Sequence, residues 1–305
     1  HEYFPLSSFE PAEKLLDEAS AAVDEGSEYA QRVAFLRKGL EHARLTVSVC
    51  QALAGDREDV SPIAWRRVTD ELMAFRRETE PDNIANLDFC DFVEKRSWAM
   101  PEVYDGEPLR AVAETPAELD ESVFAPLRGT HTCVALLRAG ESFRARLGCR
   151  QVGKNEAAVE WRLWDPADAL LAKGSVPVGE DAEIDVPAKQ DGVHLLLLVS
   201  NKNRALVTLL NEHAAIAGRG IRLIHATSPL FFFVPEGIER FTLTVESPAP
   251  GETVKLSVLN PEGEEVAAEA TGEKKTVAFE IEVPEGQDGR AWSVRAEQGG
   301  PGVLE

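Results

Sequence analysis

The sequence has few cysteines, few histidines and no long apolar run, and each of these scarcities narrows what the protein can be. Its four cysteines form no Cys-x-x-Cys pair and have no histidine at ligand spacing, which argues against a zinc site. No apolar stretch approaches the roughly 20 residues that a membrane-spanning helix requires. Positive charge is also scarce, and the formal net charge of −21 argues against nucleic acid and anionic membranes as partners.

Catalytic signatures are missing as well. The chain contains no G-x-S-x-G, H-E-x-x-H, P-loop or G-x-G-x-x-G motif. Carboxylates are abundant, but nothing in the sequence marks one pair as the acid and nucleophile of a glycosidase. We therefore predict no catalytic residue, no metal ligand and no cofactor in this chain.

What is present is a duplication. The segment 159–174 has a counterpart at 254–270, and in both an apolar strand runs into Asp-Pro or Asn-Pro, turns and begins a second strand. The offset between Phe143 and Phe241, between Trp161 and Leu256, and between other matching residues stays between 95 and 98. A repeat of this length indicates two related domains in tandem.

The first hundred residues have helical periodicity. After Ser27, apolar residues alternate at spacings of four and three up to Ala54, which predicts one long helix with a continuous apolar face. Gly26 ends the helix before it, Ser61-Pro62 begins the helix after it, and a less regular segment at 83–98 favours a fourth. These helices predict an antiparallel bundle.

From His131 onward the pattern changes to short β strands separated by Gly and Pro turns. The predicted fold is multidomain α + β, with an N-terminal antiparallel helical bundle followed by two tandem, internally repeated antiparallel β-sandwiches. We place the bundle at 1–105, a connector and the first sandwich at 106–228, and the second sandwich at 229–305. The first residues, His1-Glu-Tyr-Phe-Pro5, include no initiator Met and no leader, so we expect a piece of a longer protein.

Few residues are candidates for a site. Trp164, beside the Asp165-Pro turn on the strand face opposite Trp161, is either an exposed stacking surface for a sugar or the cover of a module edge. Cys133 and Cys149 flank the turn at 139–142; they form a disulfide if the flanking strands pair as a hairpin, and otherwise are two buried thiols. Asp165 with Asp168 is a weak calcium pattern, and a turn-stabilising Asp is the simpler interpretation.

Two stretches carry a family resemblance. The first is the helical stretch Arg32-Val-Ala-Phe-Leu-Arg-Lys-Gly-Leu-Glu-His-Ala-Arg-Leu45 together with residues 12–19 before it. It resembles the helical region that follows the catalytic barrel in large secreted bacterial glycosidase-like proteins with an α-glucuronidase-like domain. The segments 229–241 and 258–263 resemble the C-terminal β modules of such proteins. The resemblance implies that a catalytic (β/α)-barrel precedes His1, and it carries no catalytic residue onto this chain.

We therefore expect a non-catalytic accessory region of an extracellular or periplasmic carbohydrate-active protein. It would support the barrel, position it on polysaccharide or form an oligomer interface. Three alternatives stay open: a carbohydrate-binding module in its own right, a helical bundle that contributes to the cleft of a glycosidase, and an adhesion or scaffold protein of the cell envelope.

Overall fold

The computed structural model describes residues 5–54, 60–86, 89–90, 104, 109, 124–218, 220–224, 229–247, 253–272 and 276–298. Within these ranges three α helices come first and antiparallel sheets follow, in agreement with an α + β fold. The chain divides into two units, one of residues 1–106 with 168–170 and the other of residues 107–167 with 171–305. Most of the fourth predicted helix, at 83–98, lies outside the described residues.

The helices begin where the sequence predicts. They are α1 (Glu10–Ala21), α2 (Glu28–Ala54) and α3 (Pro62–Thr79). The Ser27 hydroxyl accepts a hydrogen bond from the Ala30 amide at 3.1 Å, and the Ser61 hydroxyl accepts one from the Ala64 amide at 2.9 Å. Each serine thereby satisfies one of the backbone N–H groups that the first turn of a helix leaves unpaired.

The apolar core of the helical unit does not use the face of α2 that the periodicity favours. It consists of Leu45 and Val49 from α2 with Trp65 and Leu72 from α3. At about 100° per residue the predicted stripe lies on roughly the opposite side of α2 from this contact, and its first members are exposed, Tyr29 by 65% and Leu36 by 58%. The predicted long helix is confirmed, but periodicity shows only that a face is apolar and does not show which neighbour covers it.

The first β module contains nine strands among the described residues, and they form two sheets. Sheet I has the order β1-β8-β3-β6, and sheet II has the order β5-β4-β7-β2-β9. Their bounds are as follows: β1 (Ala125–Leu127), β2 (Thr130–Leu137), β3 (Ser142–Arg150), β4 (Val159–Trp164), β5 (Leu170–Val176), β6 (Asp181–Pro187), β7 (Gly192–Val199), β8 (Arg204–Leu209) and β9 (Ala214–Ala217). Of these, β1 precedes His131, where the predicted strands begin, and falls in the predicted connector. After β9, Leu223 forms a single bridge to Leu127.

The second β module repeats this strand order. Sheet III has the order β10-β15-β12-β13, which matches β2-β7-β4-β5 of sheet II, and the pair β11-β14 matches β3-β6 of sheet I. The strands are β10 (Leu230–Val234), β11 (Arg240–Glu246), β12 (Val254–Leu259), β13 (Glu265–Ala270), β14 (Thr276–Glu282) and β15 (Arg290–Gln298). The recurrence agrees with the offset of 95 to 98 residues between the two sequence copies.

Each module has its own core. In the first module, side chains from sheets I and II pack into one cluster that includes Phe143, Leu163 and Leu196. In the second, Trp292 is fully buried and meets Phe241 edge to face, with ring centroids 5.3 Å apart. Leu223 packs against both clusters, so the two modules share an apolar contact.

Candidate functional site

Trp164 has no ring face available for a sugar. It lies in β4 opposite Leu195 of β7, which in turn lies opposite Val134 of β2. All three side chains are buried, with 1%, 2% and 4% of their surface exposed. The hypothesis of an exposed stacking surface at Trp164 is wrong in this structure, because Trp164 belongs to a continuous apolar row that is covered.

Cys133 and Cys149 are both free thiols. The proposed disulfide depended on a hairpin between β2 and β3, but β2 lies in sheet II and β3 in sheet I, so the two strands do not pair. Both side chains point into the core of the first module. Burial raises the pKa of the Cys133 thiol to about 12, so it is neutral and unreactive at ordinary pH.

The aspartates after Trp164 shape a turn. The Asp165 carboxylate accepts a hydrogen bond from the Ala167 amide at 2.9 Å, and Asp168 has a left-handed φ of 64°. This is the local bonding that makes Asp a turn former, and it confirms that interpretation. Across the described ranges, no group of three or more His, Cys, Asp or Glu side chains is placed to hold a metal ion.

The most exposed pair of aromatic side chains in the second module lies on β10. Phe231 is 53% exposed and Phe233 is 37% exposed, whereas Phe232 and Val234 point into the core. Because successive side chains of a strand alternate between its two faces, Phe231 and Phe233 share the outer face of sheet III, about 7 Å apart. Ser293 lies opposite Phe231 and Ala291 opposite Phe233 on β15. Neither of these small side chains covers the phenylalanine ring opposite it.

The duplication shows where this surface lies in the module. Phe231, Ser293 and Leu259 form one row across sheet III, in the positions that Val134, Leu195 and Trp164 occupy in sheet II. In the first module β2 is followed by β9, whereas within the described ranges β10 pairs with β15 alone. The row that is apolar and buried in the first module is exposed only at its β10 end in the second, since Phe231 is 53% exposed whereas Ser293 at its centre is 7% exposed.

A cation lies beside the aromatic pair. Arg295 is on the same outer face, two residues along β15 from Ser293 and diagonal to Phe231, a placement that puts the Cβ atoms about 7 Å apart. Its side chain is exposed and forms no ion pair within the part of the chain that the structure describes. In contrast, Arg240 pairs with Glu280 at 2.7 Å and Arg290 pairs with Glu262. We call Phe231, Phe233, Ser293 and Arg295 the β10 surface.

The sequence analysis did not identify the aromatic residues of Leu230-Phe-Phe-Phe-Val234 as a site. A usable signal was present, because three consecutive aromatic residues in one strand must place at least one ring on each face. One face of a sheet packs on the core, so a ring on the other face is either covered by another element or exposed.

No protein-family model matches the chain, and no curated protein matches it either. Among the described residues, the helices lack the combined length and apolar character that crossing a membrane requires.

Proposed function

We propose that the chain is a non-catalytic accessory region of an extracellular carbohydrate-active protein, and that the second β module helps to hold polysaccharide. In this proposal the N-terminal helices are a bundle, the two β modules are sandwiches, and a catalytic barrel precedes them, as the resemblance in 32–45 and 229–241 implies.

The observation that carries the proposal is the β10 surface. Two partly exposed phenylalanine rings in line on the outer face of β10 offer apolar surface to the C–H groups of pyranose rings, which pack against aromatic faces. The β strands that bear them are fixed by pairing and by the buried Trp292, whose indole N–H donates to the Gln287 carbonyl at 2.8 Å. A rigid platform loses little conformational entropy when it binds a ligand.

A glycan-binding screen of the whole chain tests this function, with a Phe231→Ala/Phe233→Ala variant beside the wild type. We expect binding to at least one polysaccharide and its loss in the double variant. Phe35→Ala is the matched control, because Phe35 is 48% exposed on α2 and lies in the other unit. Absence of binding to every glycan contradicts the proposal.

A second role, as a support or oligomer interface, is favoured by a different observation in the helical unit. Tyr29, Phe35 and Leu36 expose 65%, 48% and 58% of their surface on neighbouring turns of α2. An apolar group of this kind on one helix is typical of a protein contact surface. Light scattering after size-exclusion chromatography tests it: a concentration-dependent oligomer should be lost on Leu36→Asp, and a monomer at all concentrations argues against self-association.

A further inference from the structure

We propose that the chain forms a dimer in which β11 of one molecule pairs antiparallel with β11 of a second copy, centred on Leu243. The pair β11-β14 would thereby become one four-stranded sheet that extends across both molecules. This inference goes beyond the proposed carbohydrate binding, uses a different surface from the one on α2, and depends on neither.

The edge of β11 that faces away from β14 is open among the described residues. There β11 pairs with β14 alone, whereas β3, its counterpart at an offset of 98 residues, lies between β6 and β8. The side chains that face the core from β3 are fully buried: Phe143, Ala145 and Leu147. Their counterparts in β11 are only half-buried: Phe241, Leu243 and Val245. An added strand would cover these apolar side chains and pair with the backbone groups of the edge.

The sequence of β11 suits a second copy of itself. In antiparallel pairing centred on Leu243, Thr242 lies opposite Thr244 of the second copy, and by symmetry this pair forms twice. Arg240 lies opposite Glu246 of the second copy at each end. On the inner face, apolar side chains lie opposite apolar ones, and all of these cross-strand pairs are favourable. Because exposed ion pairs contribute little affinity, the charges would fix the register and the apolar side chains would supply most of the binding.

Comparison with β3 favours a second copy as the occupant of this edge. At the positions of Thr242 and Thr244, β3 carries Arg144 and Arg146. The same self-pairing of β3 would place arginine opposite arginine, which is repulsive, and β3 instead has β8 of its own module beside it. The strand with a neighbour inside its module is thus incompatible with its own copy. The strand that lacks one in the described ranges is compatible.

The strand β10 is less suited to such pairing, although in the described ranges it is also an edge strand. It has five residues, and Pro229 and Pro235 lie directly before and after it. Proline lacks the backbone N–H that would extend the ladder, and it is a common means of protecting a sheet edge. In contrast, β11 has seven residues and contains no proline. A β11 pair therefore offers the longer ladder.

Sedimentation velocity of the whole chain over a range of concentrations tests the dimer. The chain carries Leu36→Asp for this purpose, so that any dimer seen does not come from the α2 surface. We expect a concentration-dependent dimer that Thr242→Arg/Thr244→Arg abolishes, because arginines would then lie opposite arginines. Thr242→Val/Thr244→Val is the matched control and should retain the dimer, since valine keeps the branched shape without charge. Both threonines are exposed, so neither change disturbs the core.

Cross-linking tests the register. Thr242→Cys and Thr244→Cys are made separately, each in a Cys50→Ser/Cys90→Ser background. Directly opposed residues have Cβ atoms about 5 Å apart, whereas diagonal neighbours are about 7–8 Å apart and too distant for a disulfide. Under mild oxidation a mixture of the two variants should therefore give a disulfide-linked dimer, and each variant alone should give little. Near-ultraviolet circular dichroism verifies that each variant is folded, because Trp292 is buried.

A chain that stays monomeric at every concentration overturns the inference. So does a dimer that persists in Thr242→Arg/Thr244→Arg, including one that Phe231→Ala/Phe233→Ala abolishes, since that dimer would use β10. Equal cross-linking of the single variants and of their mixture overturns the register centred on Leu243. Glycan binding is measured separately, and its outcome bears only on the proposed carbohydrate function.

Discussion

Trp161 of β4 lies directly against Gly174 of β5, so closely that no other residue type fits at position 174 without movement. A Cβ atom added to Gly174 would lie 2.8 Å from the indole Cε2 and Cζ2 atoms. Trp161 in turn packs half-buried against the core of the first module. The glycine therefore provides space for an aromatic ring on a neighbouring strand.

Gly174→Ala should destabilise the first module by about 1–3 kcal/mol, because the added methyl forces the ring or a strand to shift. Urea unfolding followed by tryptophan fluorescence measures the change. Trp161→Leu should rescue the defect, since leucine lacks the ring atoms that the methyl meets and occupies the matching position 256 of the second module. A double-mutant cycle with no coupling between the two sites would show that the contact is unimportant.

His131 should make the stability of the protein sensitive to pH. Its Nε2 accepts a hydrogen bond from the Arg222 amide at 2.9 Å, and the side chain is buried. Burial, and secondarily the positive charge of Arg222, lower its pKa from 6.5 to about 4. The unfolded chain therefore binds a proton at His131 at a higher pH than the folded chain does. The stability that depends on neutral His131 is complete above pH 6.5 and is lost as the pH falls towards 4.

His131→Gln should remove on the order of 3 kcal/mol of this pH dependence over that window. The measurement is the free energy of unfolding of wild type and variant at several pH values, compared as a difference so that the many carboxylates cancel. His213→Gln, an exposed histidine of the same module, is the control. Parallel stability curves for His131→Gln and the wild type would contradict the assignment.

Cys133 and Cys149 should be free thiols that a solvent-borne reagent cannot reach in the native protein. In a Cys50→Ser/Cys90→Ser background, the native protein should not react with a thiol reagent such as DTNB at neutral pH, because both remaining side chains are buried in the core. Denaturation without a reductant should release both thiols. If no thiol appears until a reductant is added, the two cysteines are joined in a disulfide.

Gly39→Ala should stabilise the helical unit by about 0.5–1 kcal/mol, because glycine in the interior of a helix costs backbone entropy relative to alanine. A Cβ atom at this position in α2 meets nothing within 4 Å, so no steric cost opposes the gain. Thermal unfolding followed at the helical circular dichroism signal measures it. A lower melting temperature would mean that another element of the whole protein packs closely on Gly39.

Much of the fold follows from local patterns in the chain. The serines that cap α2 and α3, the period of the β strands and the Asp-Pro turn all depend on residues that lie close in sequence, and each was predicted. The duplication also predicted that Trp161 and Leu256 occupy matching strands, which the shared strand order supports. The shortest strands, β1 and β9, were missed because three or four residues carry no periodicity.

The candidate site depended on which sheet faces are covered, and local sequence patterns do not contain that information. Alternation in a strand divides its side chains between two faces, but it does not say which outer face another element covers. From the sequence, Trp164 was as good a candidate for an exposed ring as any residue; the structure buries it and exposes Phe231 in the equivalent row. The pairing of Cys133 with Cys149 failed for the same reason, since adjacent strands in sequence entered different sheets.

The sequence by itself determined the order of helices and strands, their caps and turns, and the presence of two related β modules, because these properties arise from interactions within a few residues or from comparison of the chain with itself. Only the tertiary structure decided which apolar faces are buried, where Arg295 lies relative to Phe231, and that Trp161 requires Gly174. Those relationships join residues that are distant in the chain, and strand order and packing alone bring them together.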